Sequence, residues 1–315
     1  MLKRFIAVDW GTTRLRAYCC EFNAQGEVQL LASAAGPGVK KVQTSFPATL
    51  SAVIAPFIQQ FGQLPVLMAG QISSSIGWFE TDYLNCPVSP QAIKPAMVSV
   101  KVDELTLHIT PGLRYQSADG QDDTMRGEEL QLLGLLKRYP HYQQGQHLIC
   151  LPGTHCKWVI LDNGKVHWFK TAITGELFDI VIQHSILLPP LAALPTDDTS
   201  GFLEGCTRSL ADSPESLVHS LFSVRTKQLF TQCNAATARN YLSGLLIGAD
   251  IKTIMQSIET ASCQNKPVVL IGTGQLQQAY ANALAAAGKS STLIAEQDVA
   301  LAGFGFIAAD QTNLV

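Results

Sequence analysis

Apolar residues fall in short runs separated by polar turns, and the runs predict strands and helices in a recurring order. Arg4 to Asp9 is apolar at four successive positions, as a buried strand is. A turn follows at Trp10 to Thr13. Leu15 to Phe22 predicts a second strand, Asn23-Ala24-Gln25-Gly26 a turn, and Glu27 to Ala34 a third strand. Phe46 to Phe61 predicts a helix and Pro65 to Ala69 another buried strand. The order returns in the second half. Gln146 to Leu151 reads as a buried strand, Pro152-Gly153-Thr154 as a turn, and Lys157 to Leu161 as a strand. Asn163-Gly164 signals a two-residue hairpin into Lys165 to Lys170. Thr174 then caps an apolar helix to about Leu188. Pro267 to Ile271 predicts a strand, Gly272-Thr273-Gly274 a junction, and the residues to about Ala287 a helix. Segments 36–45, 111–121 and Pro189 to Ser200 read as loops.

Two α/β halves with the same opening imply two domains, 1–143 and 144–315, facing each other across a ligand-binding cleft. The last helix has the option of packing back on the first domain. A length of 315 residues fits two domains. Hydrophobic residues are 47% and charged residues 15%, enough for a large core. The net charge of -3 gives no support to nucleic-acid or anionic-membrane binding. The apolar run after Lys3 and Arg4 stops at Asp9, too soon for a signal peptide, and no run approaches a membrane span. A soluble cytoplasmic protein is expected, and a homodimer is compatible with the sequence. The eight cysteines form no CxxC pair and read as reduced thiols. Cys19 and Cys20, adjacent on a strand, should point to opposite faces.

Five segments carry candidate chemistry. In Asp9-Trp10-Gly11-Thr12-Thr13 a buried strand runs into a tight turn. Gly11 permits close backbone approach, and the turn N–H groups with Thr12 and Thr13 can cradle phosphate oxygens. Asp9 would act through Mg²⁺, because a carboxylate repels phosphate. Pro152-Gly153-Thr154-His155-Cys156-Lys157 stands at the matching place in the second half. Gly153 and Thr154 offer the same cradle, and Lys157 or His155 a positive charge. Gly272 and Gly274 let backbone pass a nucleoside face, with a spacing unlike the dinucleotide fingerprint. Asp122-Asp123-Thr124-Met125-Arg126-Gly127-Glu128-Glu129 reads as an acidic helix start. Asp123 or Asp122 there can accept a substrate hydroxyl's proton, or simply cap the helix. Arg126 suits an anionic substrate or a pairing with these acids. In the loop from Gly70 to Trp78, Gln71, Ser73, Ser74 and Trp78, with Tyr83 beyond, suit a polyhydroxy ligand.

The segments FIAVDWGTTRLRAY, GQISSSIGW, DDTMRGEE, LPGTHCKW, TAITGELFDIVIQHSIL, YLSGLLIGADI and VLIGTGQL occur in this order. Together they resemble the 2-dehydro-3-deoxygalactonokinase family of the actin/hexokinase superfamily, over nearly the whole chain. The resemblance implies two ribonuclease H-like domains and transfer of the ATP γ-phosphate, with Mg²⁺, to the 6-hydroxyl of 2-dehydro-3-deoxy-D-galactonate in galactonate catabolism. It implies that Asp9 to Thr13 form the first phosphate turn, that Gly153, Thr154 and Lys157 form the second, and that Gly272 and Gly274 lie by the adenosine. It places the general base at a helix start in the first domain, matched by Asp123 with Asp122 as rival. Two positions depart from the superfamily pattern: Pro152-Gly153 replaces an acid-glycine pair, and Thr273 stands where many relatives have a third glycine. A kinase for the gluconate epimer, a phosphohydrolase, an actin-like or chaperone ATPase and a sugar-sensing repressor are the competing readings. The full motif order favours the sugar-acid kinase, and no clustered Cys motif marks a zinc-bearing sugar kinase.

Overall fold

The computed structural model describes residues 3–189, 199–211, 215–231, 233–258 and 261–309. Of the loop expected from Pro189 to Ser200, residues 190–198 lie outside the described residues. In chain order the elements are β1 (Arg4–Trp10), β2 (Arg14–Phe22), β3 (Val28–Pro37), α1 (Phe46–Phe61), β4 (Val66–Ala69), β5 (Tyr83–Asn85), β6 (Val98–Val102), β7 (Leu105–Ile109), β8 (Gly112–Gln116), β9 (Asp122–Met125) and α2 (Glu128–Arg138). They continue with β10 (Gln146–Leu151), β11 (Cys156–Asp162), β12 (Lys165–Ala172), α3 (Thr174–His184), α4 (Thr199–Leu210), α5 (Leu217–Leu221), α6 (Ser223–Phe230), α7 (Ala235–Ser257), β13 (Val268–Gly272), α8 (Gly274–Ala286), β14 (Ser291–Ala295) and α9 (Glu296–Ala308). The chain divides into two units. One comprises Met1–Gly145, Leu161–Phe169 and Glu296–Val315, the other Gln146–Ile160 and Lys170–Ala295.

The first unit is built on a six-stranded sheet ordered β3-β2-β1-β4-β7-β6. β1 runs antiparallel to β2 and parallel to β4, with Ile6 opposite Val66 and Asp9 opposite Ala69. Successive side chains on a strand point to opposite faces. Ile6, Val8 and Trp10 therefore pack with Val66 and Met68 in one core, beneath Leu50, Ile54 and Phe57 of α1. Phe5 and Ala7 pack with Leu67 and Ala69 in the other, against Leu130 and Leu133 of α2 and Phe304 and Ile307 of α9. Both faces are covered, which is why β1 and β4 read as unbroken apolar runs. Cys19 and Cys20 separate into the two cores as expected. Ser45 caps α1 by accepting from the Ala48 N–H at 3.3 Å, and Gly62 at φ 78° ends it.

A second, three-stranded sheet ordered β5-β8-β9 belongs to the same unit. It corrects two expectations. Segment 111–121 is partly strand β8. Asp122 and Asp123 do not open a helix; they pair in β9 with Gln116 and Tyr115, and α2 begins at Glu128 after Gly127 at φ 110°. Aspartate is common at N-caps and rare in strands, so the local composition points the wrong way. The strand is held by its antiparallel ladder to β8, and Arg114 of β8 also grips Asp122 through Nε and Nη2 at 2.9 and 3.0 Å.

The five-stranded sheet is ordered β12-β11-β10-β13-β14, with β10, β13 and β14 parallel. This repeats the order of β3-β2-β1-β4-β7. Asn163 at φ 48° and Gly164 at φ 73° make the predicted hairpin turn. Thr174 is the first residue of α3 rather than its cap, and its hydroxyl instead reaches Asp250 of α7 at 3.4 Å. All eight cysteines are free, with the Cys150 and Cys156 sulfurs 3.6 Å apart. Among the described residues no helix is long and apolar enough to cross a membrane.

Helices α2 and α9 approach through glycines: a Cβ on Gly134 would lie 1.7 Å from the Val299 carbonyl oxygen, and one on Gly303 2.2 Å from that of Leu130. Overpacking a close contact costs about 1–3 kcal/mol. Gly134→Ala is therefore expected to lower Tm by several degrees, read by thermal unfolding. Alanine is the better helix former, so an unchanged or raised Tm would show that the helices separate freely.

Candidate functional site

In the first unit the carboxyl ends of the parallel strands β1, β4 and β7 lie side by side, the place where open α/β sheets bind ligands. Asp9 stands at the end of β1. Arg16, directly opposite it on β2, donates to its Oδ2 at 2.5 Å and to Glu296 Oε1 at 2.6 Å. Glu296 opens α9 and also accepts from Gln131 at 3.3 Å. Burial lifts the Asp9 carboxyl above its ordinary range, and Glu296 adds to this, although Arg16 opposes them. Asp9 Oδ1 lies beside Gly70, where a Cβ would come within 3.3 Å of it. The following turn is tied down through its backbone: Gly11 N–H donates to Arg14 O at 2.9 Å, Val39 N–H to Gly11 O at 3.0 Å, and Lys40 N–H to Thr12 O at 3.2 Å. The turn stays open to solvent at Thr13. Lys40, from the segment 36–45 expected to be a loop, thus enters the neighbourhood of the turn.

Gly127, at the start of α2, lies against Gly70, with room of only 3.2 Å between a Cβ there and the Gly70 Cα. Behind it Glu129 is 1% exposed. It accepts from the Gly127 N–H at 2.6 Å and from the Thr110 hydroxyl, just beyond β7, at 3.3 Å. Burial, and secondarily the charge of Glu128, push its carboxyl up to about 8, against the opposing backbone N–H bonds and Arg126. The acids at the helix start are thus Glu128 and Glu129, not Asp122 and Asp123.

The loop after β4 forms a single 3-10 turn at Gln71–Ser73. Ser73 and Ser74 are buried and donate to the Gly70 and Gln71 carbonyls at 3.0 and 2.7 Å. Trp78 stacks nearly parallel to Phe79 and Phe46, at 4.8 and 6.5 Å, and packs on the core. Its indole is therefore engaged by protein. Arg126, 5% exposed, donates from Nη1 to Ser73 Oγ at 3.0 Å and Thr81 Oγ1 at 2.7 Å, and from Nη2 to the Thr81 carbonyl. Its guanidinium lies 3.9 Å from the centre of the Tyr83 ring. Of the expected residues, the structure thus brings Ser73, Tyr83 and Arg126 together and adds Thr81. The Arg126 side chain does not pair with Asp122 or Asp123.

In the second unit, β10 and β13 end together. Pro152 lies beside Gly272, at 3.7 Å from a Cβ there, and Gly153 and Thr154 abut Gly175 of α3. Glu176 N–H donates to Thr154 O at 2.9 Å. The turn of Gly153 and Thr154 and the junction of Gly272 and Gly274, at φ 61° and with nothing within 4 Å of a Cβ, therefore form one patch. His155 is exposed and bonds Glu176 at 2.7 Å. Lys157 is buried on β11 and donates to Thr171 at 2.8 Å, set back from the turn it was expected to serve. Asp250 accepts from Trp158, Tyr280 and Thr174 at 3.0, 3.0 and 3.4 Å, locking β11, α8 and α3 to α7.

A family model described as 2-keto-3-deoxy-galactonokinase matches residues 9–307, almost the entire chain. The chain belongs to the 2-keto-3-deoxy-galactonokinase family. The 2-dehydro-3-deoxygalactonokinase of Escherichia coli strain K12 is 32% identical over 315 residues, spanning 99% of this chain and all of that one. A solved structure from Sinorhizobium meliloti carrying the same enzyme name superposes with a TM-score of 0.86 at 30% identity, covering 99% of this chain and 98% of that one. An activator of 2-hydroxyisocaproyl-CoA dehydratase from Clostridium difficile shares the fold alone, at a TM-score of 0.51 and 12% identity over 98% and 95% of the two chains. The expected actin/hexokinase-like α/β fold is thereby established.

Among the described residues no three acidic, His or Cys side chains gather to hold an ion by themselves. Asp9 offers one carboxylate, and Mg²⁺ is commonly held by one or two carboxylates with substrate phosphates and water. The residues missed in the sequence are Arg16, Glu296, Thr81 and Thr110. Each is an ordinary strand, helix or loop residue that only the pairing of distant segments brings to the strand ends.

Glu129 yields a test. A carboxyl whose folded value lies above its unfolded one takes up a proton on folding, so its contribution to stability declines as pH rises from about 4.5 through about 8. Glu129→Gln removes that term. Across pH 5 to 9 the Tm of the variant relative to the parent should rise by several degrees; a pH-independent difference would contradict the raised value.

Proposed function

We propose that this protein is an ATP-dependent kinase that phosphorylates 2-dehydro-3-deoxy-D-galactonate on its 6-hydroxyl, a step in galactonate catabolism. The observation that carries this reading is the family match across residues 9–307. Asp9 with Gly11, Thr12 and Thr13 forms the first phosphate turn and the Mg²⁺ position; Gly153 and Thr154 form the second, backed by Lys157, and Gly272 and Gly274 border the adenosine. ATP supplies the phosphoryl group, and Mg²⁺ neutralises charge on it. Gln71, Ser73, Ser74 and Tyr83 surround the sugar acid, with Trp78 supporting the loop from its aromatic stack.

The proton acceptor is Glu129 in place of Asp123. Three observations favour it: it stands at the helix start, it is buried at the strand ends, and its affinity for a proton is matched to neutral pH. Asp122 is neutralised by exposed Arg114.

A coupled assay of ADP release with a panel of 2-keto-3-deoxy sugar acids tests the substrate. Turnover of the galactonate derivative well above its gluconate epimer is expected; turnover of none of them would overturn the reading. Glu129→Gln should lower kcat by roughly 10²- to 10⁴-fold with KM for ATP nearly kept, while Asp123→Asn stays near the parent rate. The opposite ranking would return the role to Asp123. Asp9→Ala should abolish saturable Mg²⁺ dependence, and an unchanged metal profile would remove Asp9 from the ion.

A further inference from the structure

Arg126 is a buried cation with an incomplete set of acceptors. A guanidinium carries five N–H donors in a rigid fork. Both Nη atoms reach Thr81, Nη1 its hydroxyl and Nη2 its carbonyl, and Nη1 also reaches Ser73. The two hydroxyls spend their own hydrogens elsewhere, Ser73 on the Gly70 carbonyl and Thr81 on the Thr110 carbonyl, so their lone pairs face Arg126. That accounts for three donors. The Nε–H is buried and meets no acceptor among the described residues, and Nη2 retains its second N–H. These two lie on the same edge of the guanidinium, the edge with which Arg114 grips Asp122 through Nε and Nη2.

No carboxylate lies within ion-pair distance of the Arg126 side chain among the described residues; the nearby Glu128 accepts from its backbone N–H instead, at 3.1 Å. A buried cation whose donors are not all met is costly, and the edge left over is the one that matches a carboxylate in bidentate fashion. The setting is rigid. Tyr83 covers one face of the guanidinium, and a Cβ on Gly112 would lie 2.7 Å from the Tyr83 ring and 2.8 Å from Arg126 Cγ. Ser73 and Thr81 hold the opposite edge. Such an arrangement fixes the direction of the unused edge as well as its charge.

We propose that the Nε–Nη2 edge of Arg126 binds the carboxylate of the sugar acid and makes the enzyme select an acid over a neutral sugar. This rests on the sugar-acid kinase reading above. It assigns Arg126 to recognition at the acid end of the substrate, away from the proton transfer.

The test compares 2-dehydro-3-deoxy-D-galactonate with its neutral primary amide as phosphoryl acceptors. The parent enzyme should favour the acid in kcat/KM by roughly 100-fold or more, as loss of a charge-assisted bidentate pair implies. In Arg126→Gln that ratio should collapse towards unity, mostly through KM for the acid, with KM for ATP unchanged. Arg126→Lys, which keeps the charge without the fork, should fall between. A purely structural arginine would lower both acceptors together, so an unchanged ratio in either folded variant would overturn the proposal. So would a parent ratio near one, a result that requires no variant to fold. Failure of the kinase reading is distinguishable. If the parent phosphorylates neither acceptor, thermal protection by the acid but not the amide, lost in the variant, still reports the carboxylate site, and equal protection by both refutes it.

Discussion

The parallel register of β1 on β4 is the constraint from which the first unit's site follows. With Ile6 opposite Val66 and Asp9 opposite Ala69, the two strands end level. The Asp9 carboxylate, the backbone of Gly70 and the start of α2 then compete for the same small volume. A Cβ on Gly70 would lie 2.9 Å from the Trp10 carbonyl oxygen, and one on Gly127 3.2 Å from Gly70. Both glycines also have positive φ, 97° and 110°, so the chain turns there only because neither carries a side chain. A one-residue slip would send Asp9 into the opposite face and bury it among the apolar residues of the sheet. The register thus decides both that an acid reaches the ligand end and that Arg16, its neighbour across β2, is there to meet it.

The buried polar groups differ in how completely they are satisfied, and the difference separates scaffold from site. Asp250 accepts from three donors on three different elements and behaves as a clamp. Glu129 has two donors and a carboxyl that burial holds above its ordinary range. Arg126 has an N–H with no acceptor among the described residues. A folded chain leaves few such groups unpaired unless something else completes them. The progression from Asp250 to Glu129 to Arg126 runs from a fully satisfied clamp to a group with a donor left over.

Much of this was legible in the sequence, where period and turn chemistry agree. The apolar runs at Arg4 to Asp9 and Gln146 to Leu151 are central strands because both faces are covered. Asn163-Gly164 turns as a hairpin because both residues accept positive φ. The α1 boundaries are visible because Ser45 and Gly62 mark them. The small β5-β8-β9 sheet was hidden, since its strands are only three to five residues long and one is Asp-rich. The hidden strand displaced the expected start of α2 by several residues, from Asp122-Asp123 to Glu128. The signal that could have corrected it was Gly127, the residue most able to pass from strand to helix, followed by two glutamates in the first turn. Arg16 and Glu296 were illegible for another reason: 280 residues separate them, and only the return of α9 to the first unit makes them partners.

The two units share a strand order but not a polar chemistry, and the difference has a physical meaning. The strand ends of the first unit gather Asp9, Glu129 and Glu296 with Arg16 and Arg126. Those of the second gather Gly153, Thr154, Gly272 and Gly274, and Pro152 follows β10 where the superfamily pattern has an acid. Glu176, whose N–H bonds the Thr154 carbonyl, has its carboxylate tied to His155. A polyanion approaching a bare carboxylate is repelled unless a cation intervenes, whereas backbone N–H groups attract it without one. The second unit's turn, free of an acid at Pro152, carries less of that repulsion than the first. The first unit instead has its acids fixed by Arg16 and by the start of α2. With Pro152 at the end of β10, the second unit has no acid at the place where Asp9 ends β1, and the carboxylate joined to Asp9 through Arg16 is Glu296 of the same unit.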